Sequence, residues 1–101
     1  MIGNFFTRHL KIFLPKKYFW QIPIGGEPVY IYDIIINDQL IGKSKSDIIQ
    51  LFEKNSISFA TENRWKYFVN TYKNKEYVLI MHFKDDLLTE IKYKYKKLSS
   101  S

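Results

Sequence analysis

The sequence predicts an α+β fold, a short helical layer packed on an antiparallel sheet of three or four strands. A helix start is written into Gly42-Lys43-Ser44-Lys45-Ser46-Asp47-Ile48-Ile49-Gln50-Leu51-Phe52. The Ser44 hydroxyl is placed to cap the first turn, and Asp47 three residues on is placed to reach back to the Ser44 amide as in a capping box. Beyond the helix come only alternating, aromatic-rich runs, at residues 65–70, 76–83 and 87–97. The polar clusters Lys73-Asn74-Lys75 and Asp85-Asp86 separate these runs, as antiparallel hairpins require.

From the N-terminus, residues 1–14 carry Ile2, Phe5, Phe6, Leu10, Phe13 and Leu14 at a spacing that fits one face of a helix, interrupted by Arg8, His9 and Lys11. The segment lacks both the ~20 apolar residues of a spanning helix and the unbroken apolar centre of a secretory signal, so export through it is not expected. Pro15 ends the pattern. Lys16-Lys17-Tyr18-Phe19-Trp20 follows as a basic, aromatic cluster, read either as a membrane-surface or partner-binding arm or, more simply, as a lid in which Phe19 and Trp20 fold back over the sheet. Residues 23–28 form a loop whose Gly25-Gly26 pair is a turn, since a phosphate-binding loop needs a preceding strand and further glycines. Residues 29–37 fit either a helix, through Tyr30, Ile31, Ile34 and Ile35, or a buried strand, through the isoleucine run. Asn37-Asp38 and Gly42 break the chain before the capped helix, expected from residue 45 to about 54, with Ile48, Ile49, Leu51 and Phe52 as its buried stripe and Asn55 as a left-handed stop.

Among the strands, Trp65, Tyr67 and Val69 share one face of the first, with Lys66 and Phe68 on the other. Residues 77–83 are apolar on both faces, which places that strand in the interior of the sheet. In the last strand Thr89, Ile91, Tyr93 and Tyr95 alternate with Glu90, Lys92, Lys94 and Lys96, giving a wet lysine face. The expected organisation is an aromatic arm over residues 1–28, an α+β domain over 29–98 and a polar tail at 99–101.

A chain of 101 residues holds one core and is too short for a second lobe around a deep active site. Its 46% hydrophobic and 18% aromatic content is that of a globular domain. The absence of cysteine excludes disulfides, thiolate zinc sites, catalytic thiols and a lipid-modified cysteine, and permits a reducing, cytoplasmic setting. The formal charge of +6 favours phosphates, anionic lipid or an acidic protein surface.

Taken together, Leu40-Ile41-Gly42-Lys43-Ser44-Lys45 before an apolar helix, Trp65-Lys66-Tyr67, Tyr77-Val78-Leu79-Ile80-Met81-His82-Phe83-Lys84-Asp85-Asp86 and the closing Ile91 resemble the SmpA/OmlA (BamE-like) family, whose layout is shared with β-lactamase inhibitor protein repeats. The resemblance spans residues 33–95. It implies a small non-enzymatic module that works by protein contact, as a subunit of an outer-membrane assembly machine or as an inhibitor laid on an enzyme, with no catalytic residues to carry over. The chain departs from the assembly lipoproteins in having no lipidated cysteine and in placing Glu53-Lys54-Asn55 where they have glycine and proline. The expectation left by these departures is a binding or inhibitory module.

No catalytic constellation stands beside that reading. His9 and His82 are far apart and have no second ligand at metal-binding spacing, Asp85 and Asp86 suit a turn, and Asp33, Asp38 and Glu62 show no pairing, so neither an enzyme nor a metal or other cofactor is expected. The leading expectation is a protein-binding module, an immunity protein or inhibitor that covers the functional site of an acidic partner, with Trp20, Trp65, Lys92, Tyr93, Lys94 and Tyr95 as contact residues. The alternative is a basic domain for single-stranded nucleic acid that uses Lys66, Phe68, Lys92, Lys94 and Lys96. Peripheral membrane contact through residues 1–20 and a homodimer formed through a strand edge are further partner classes consistent with the pattern.

Overall fold

The computed structural model describes residues 15–98, so the amphipathic segment at residues 1–14 and the tail at 99–101 lie outside the described residues. After a 3-10 turn at Lys16–Phe19, strands β1 (Gln21–Ile24) and β2 (Glu27–Tyr30) form a hairpin. The loop expected over residues 23–28 shrinks to Gly25-Gly26, whose φ values of 60° and 83° are those of a tight two-residue hairpin turn. Pro23 and Pro28 sit opposite each other across the ribbon. Helix α1 (Ile31–Asn37) continues directly from β2 and stops where Asp38 turns left-handed, so the isoleucine run is helical and the buried-strand reading of residues 29–37 is not borne out; only Val29 and Tyr30 are extended, as the end of β2.

Helix α2 (Lys45–Leu51) starts at the expected cap, the Ser44 Oγ accepting a hydrogen bond from the Asp47 amide at 3.2 Å, but the reciprocal bond from the Ser44 amide to the Asp47 carboxylate does not form among the described residues. It ends three residues earlier than its pattern predicts, and Asn55 is not its stop. Phe52 becomes extended so that its ring is buried against Tyr67, with centroids 4.9 Å apart, while the Gly25 amide donates to the Leu51 carbonyl at 2.8 Å. Tertiary packing thus overrides the local helical pattern. A 3-10 turn at Lys54–Ser56 leads into β3 (Ile57–Thr61), a strand that the alternation pattern did not announce. Strands β4 (Arg64–Tyr72), β5 (Lys75–Lys84) and β6 (Leu87–Lys97) complete an antiparallel sheet in the order β3-β4-β5-β6. The doubly apolar strand β5 is interior, as expected. The turns Lys73-Asn74 and Asp85-Asp86 both have positive φ, the geometry that lets two residues join strands of native twist.

The helices and the hairpin cover one face of this sheet. Ile22, Ile31, Ile34, Leu40, Ile48 and Phe52 from that layer pack with Ile57, Trp65, Tyr67, Leu79, Met81, Phe83 and Leu88 from the sheet. Two irregularities set which side chains point inward. Between Phe68 and Asn70 the β4–β5 register slips by one residue, so that Asn70 faces Tyr77. At the start of β6 the step from His82 to Phe83 is matched by Glu90 and Leu88, leaving Thr89 as the bulged residue. Leu88, rather than the expected Thr89, therefore shares the covered side with Ile91 and Tyr93.

The expected boundary at residue 28 falls inside β2. Trp20 packs edge-on to Tyr72 and Tyr77, and Ile22 lies in the core, so the described part of the arm is continuous with the domain. Leu79 is fully enclosed. Leu79→Ala is expected to lower the unfolding free energy by about 2–5 kcal/mol, through lost transfer energy and the cavity left behind. Ser44→Ala, which removes only the helix cap, is expected to cost about 1 kcal/mol. Denaturant titration of the two variants checks both the values and their order.

Candidate partner-binding surface

The second face of the four-stranded sheet carries no helical layer. Its side chains form cross-strand rows fixed by the register: Arg64, His82 and Glu90; Lys66, Ile80 and Lys92; Phe68, Val78 and Lys94; Thr71, Glu76 and Lys96. The middle of each row belongs to β5, so the centre of the face is Ile80 and Val78, with lysines to either side. Ile80 is only 4% exposed although it lies outside the core cluster. The aliphatic stems of Lys66 and Lys92, its cross-strand neighbours, account for this shielding, with their ammonium groups left in water. Phe68 is 43% exposed. A shallow groove of about 160 Å³ runs over this face, lined by Lys66, Val78, Ile80, Lys94 and Lys96 among others.

Charge on the face is only partly compensated. Lys96 Nζ lies 4.0 Å from Glu76, Lys92 Nζ lies 3.7 Å from Glu90, and Lys66 and Lys94 have no carboxylate within ion-pair distance among the described residues. His82 Nε2 is 4.0 Å from the Glu90 carboxylate, a neighbour that folding supplies and sequence spacing hides. The Thr89 hydroxyl donates to the His82 carbonyl at 3.1 Å, which fixes the bulge beside it. No cluster of three metal-ligating side chains occurs among the described residues.

On the covered side, the β4–β5 turn end of the sheet gathers tyrosines around Lys17. Its Nζ lies 5.4–5.9 Å from the ring centroids of Tyr18, Tyr77, Tyr93 and Tyr95, within cation–π range of each. The Tyr93 hydroxyl donates to the Lys17 carbonyl at 3.1 Å and thereby ties the 3-10 turn at Lys16–Phe19 to β6. Burial pushes the Tyr93 phenol well above its ordinary range, with the neighbouring Tyr77 and Tyr18 adding to the rise.

These positions divide the contact residues expected from sequence. Lys92 and Lys94 stand on the open face. Trp65 is buried between Phe59 and Phe83 and is unavailable to a partner. Trp20 is half-buried on Tyr72 and Tyr77, which is the lid arrangement rather than an outlying anchor. Tyr93 is half-buried and bonded to Lys17. Tyr95 is exposed, its ring tilted against Tyr77 with centroids 5.5 Å apart, and it also lines the edge of the open-face groove beside Lys94. The residues that sequence reasoning left out are Val78 and Ile80. Their signal was present, because a strand apolar on both faces in a two-layer protein must leave one apolar row uncovered. No family model, curated protein or solved structure matches the chain.

The buried phenol gives a pH dependence with a defined sign. A folded-state pKa above the unfolded value near 10 means that the unfolded chain loses this proton first. The stability associated with neutral Tyr93 is therefore intact below pH ~10 and declines as the pH rises beyond it. Thermal melts across the alkaline range are expected to show Tm falling more steeply for the parent protein than for Tyr93→Phe, which has no phenol proton to lose.

Proposed function

We propose that the chain is a non-enzymatic protein-binding module that receives an acidic partner on the open face of its sheet. The observation that carries this reading is the apolar patch of Phe68, Val78 and Ile80, drawn from two adjacent cross-strand rows and bordered by Lys66, Lys92 and Lys94, on a face that no helix covers among the described residues. An apolar strip supplies contact area, and a basic rim supplies orientation and association rate towards a negatively charged surface. The finer reading is an immunity protein or inhibitor, which silences its partner by lying across the partner's site, in a cytoplasmic setting compatible with a cysteine-free chain. The BamE-like resemblance of residues 33–95 supports a contact module of this kind and adds no residue roles.

A second reading, binding of single-stranded nucleic acid, draws on one observation. Phe68 presents an exposed ring in line with Lys94 and one row from Lys66, and a base stacks on such a ring while lysines meet its phosphates. Proteins retained by the tagged chain are to be identified first, and the purified partner then titrated by calorimetry. Phe68→Ala is expected to weaken that complex by about tenfold or more, mostly through faster dissociation, and Lys94→Glu mainly to slow association. The reading fails if Lys66→Ala, Lys92→Ala and Lys94→Ala each weaken binding of a single-stranded oligonucleotide equally while no protein partner survives high salt.

A further inference from the structure

The net charge of the described residues is concentrated at one end of the sheet, away from the centre of the open face. Lys16 and Lys17 arrive there from the 3-10 turn at Lys16–Phe19, Lys73 and Lys75 from the β4–β5 turn, and Lys96 and Lys97 from the end of β6. The segments are fastened together: the Leu98 amide donates to the Asn74 carbonyl at 2.9 Å, and the Asn74 side-chain amide donates to the Leu98 carbonyl at 3.1 Å. Setting aside Arg8 and Lys11, the described residues hold 14 of the 16 Lys and Arg and all 10 Asp and Glu. Six of those cations share this end with one carboxylate, Glu76. The other eight face the remaining nine carboxylates, so the rest of the described molecule is close to neutral.

This arrangement opposes stability. Lys75 and Lys97 are direct cross-strand partners, a like-charge pairing that destabilises a sheet. Four of the six ammonium groups are received by aromatic rings in place of carboxylates: Lys16 and Lys73 both lie over Tyr72, at 5.8 and 5.3 Å, and Lys17 and Lys75 both lie over Tyr95, at 5.5 and 4.8 Å, while Lys96 is the one 4.0 Å from Glu76. A ring quadrupole holds a cation in place without cancelling its charge. The end therefore keeps a fixed, outward positive field, with the tyrosine faces already occupied by the protein's own lysines and closed to stacking bases.

Beside it lies an apolar hollow of about 190 Å³ lined by Tyr18, Tyr32, Ile35 and Ile36. Tyr18 belongs to both features, since its ring also packs on Tyr93 and receives Lys17. Ile36 is 58% exposed. We propose that this end of the protein docks on an anionic lipid surface, with the six lysines meeting headgroup phosphates and carboxylates and the exposed Ile36 entering the boundary of the acyl layer. Lysines acting as point charges, without an arginine fork, suit a diffuse array of headgroups better than a defined phosphate pair. Exposed Tyr72 and Tyr95 at the level of the lysines match the aromatic and basic chemistry of a membrane interface. A soluble polyanion would use the charge and leave the hollow unused.

Flotation of the protein with vesicles of phosphatidylcholine containing about 30% phosphatidylserine, against phosphatidylcholine alone, tests this at low and high salt. Binding is expected only with phosphatidylserine, and to fall as salt rises. K73E/K75E, or K96E/K97E should the first variant lose its native circular dichroism spectrum, is expected to weaken it by about tenfold or more. I36D is expected to weaken vesicle binding and leave heparin binding unchanged, whereas K92E/K94E on the open face is expected to leave vesicle binding near the parent value. The proposal is overturned if the parent protein does not float with phosphatidylserine vesicles or floats equally with neutral ones. It is also overturned if K92E/K94E is as damaging as K73E/K75E, or if I36D changes nothing while heparin competes fully, which would identify a soluble polyanion as the ligand.

Discussion

Leu88 is held on both sides of its peptide unit by the chain that leads into α2. Its amide donates to the Lys43 carbonyl at 2.8 Å, and its carbonyl accepts from the Gly42 amide at 2.7 Å, while the Lys45 amide reaches the Asp86 carbonyl at 3.1 Å. Gly42 meets this demand with a φ of 91°, a conformation that a residue bearing a Cβ rarely adopts. The backbone clip fixes the entry of α2 at the β5–β6 turn before any side chain is considered. Ile48 is then delivered into the interior beside Leu79 and Met81, and the Leu88 side chain seals the same cluster from below. Helix α2 is only seven residues long and would not persist alone in water, so its existence depends on that attachment and on the face it buries.

One-sided attachment has a consequence for the opposite surface. Strand β5 must be apolar inward to meet the helices, and it is apolar outward as well, with Val78 and Ile80. Lysine stems from the neighbouring strands border that strip and shield Ile80 from water, while Val78 stays half-buried. At the end of the sheet the same residue type does something different, because there the ammonium groups rest on tyrosine rings and stay fixed. Lysine therefore serves two purposes in this fold, as a cover in one place and as a pinned charge in another. Because the two regions share β5 and β6 without sharing their central residues, they are separable by mutation.

Much of this architecture was legible because it is local. The Ser44 cap, the interior position of β5 and the Lys73-Asn74 and Asp85-Asp86 turns each follow from residue types at fixed spacing, and each is present. The features that escaped are those decided at a distance. Phe52 leaves the helix because Tyr67 offers its ring a buried site, and Thr89 is displaced because Leu88 is claimed by residues 42 and 43. Strand β3 was missed because four of its five residues are exposed and its one buried residue, Ile57, sets up no alternation. The expected contact residues were chosen as conspicuous aromatics and lysines. Conspicuous aromatics in a small domain go preferentially into its core, as Trp65 does, whereas the uncovered apolar row consists of ordinary Val78 and Ile80.

The order of elements along the chain also bears on how the protein is made. The hairpin of β1 and β2 and both helices precede the sheet, so they leave the ribosome before β5 and β6 exist to receive them. Neither helix has its complete partner surface until residues near Leu88 have emerged, and the nascent half-chain carries Ile31, Ile34, Ile48 and Phe52 before the sheet strands that cover them. The four-stranded sheet, by contrast, is a meander in which every strand pairs with its neighbour in sequence, the kind of local topology that closes quickly once it is available. Folding in the cell is thus gated by the C-terminal third of the chain, and a message truncated before the β5–β6 turn yields a product that lacks β6 and with it the Leu88 backbone bonds that hold the entry of α2.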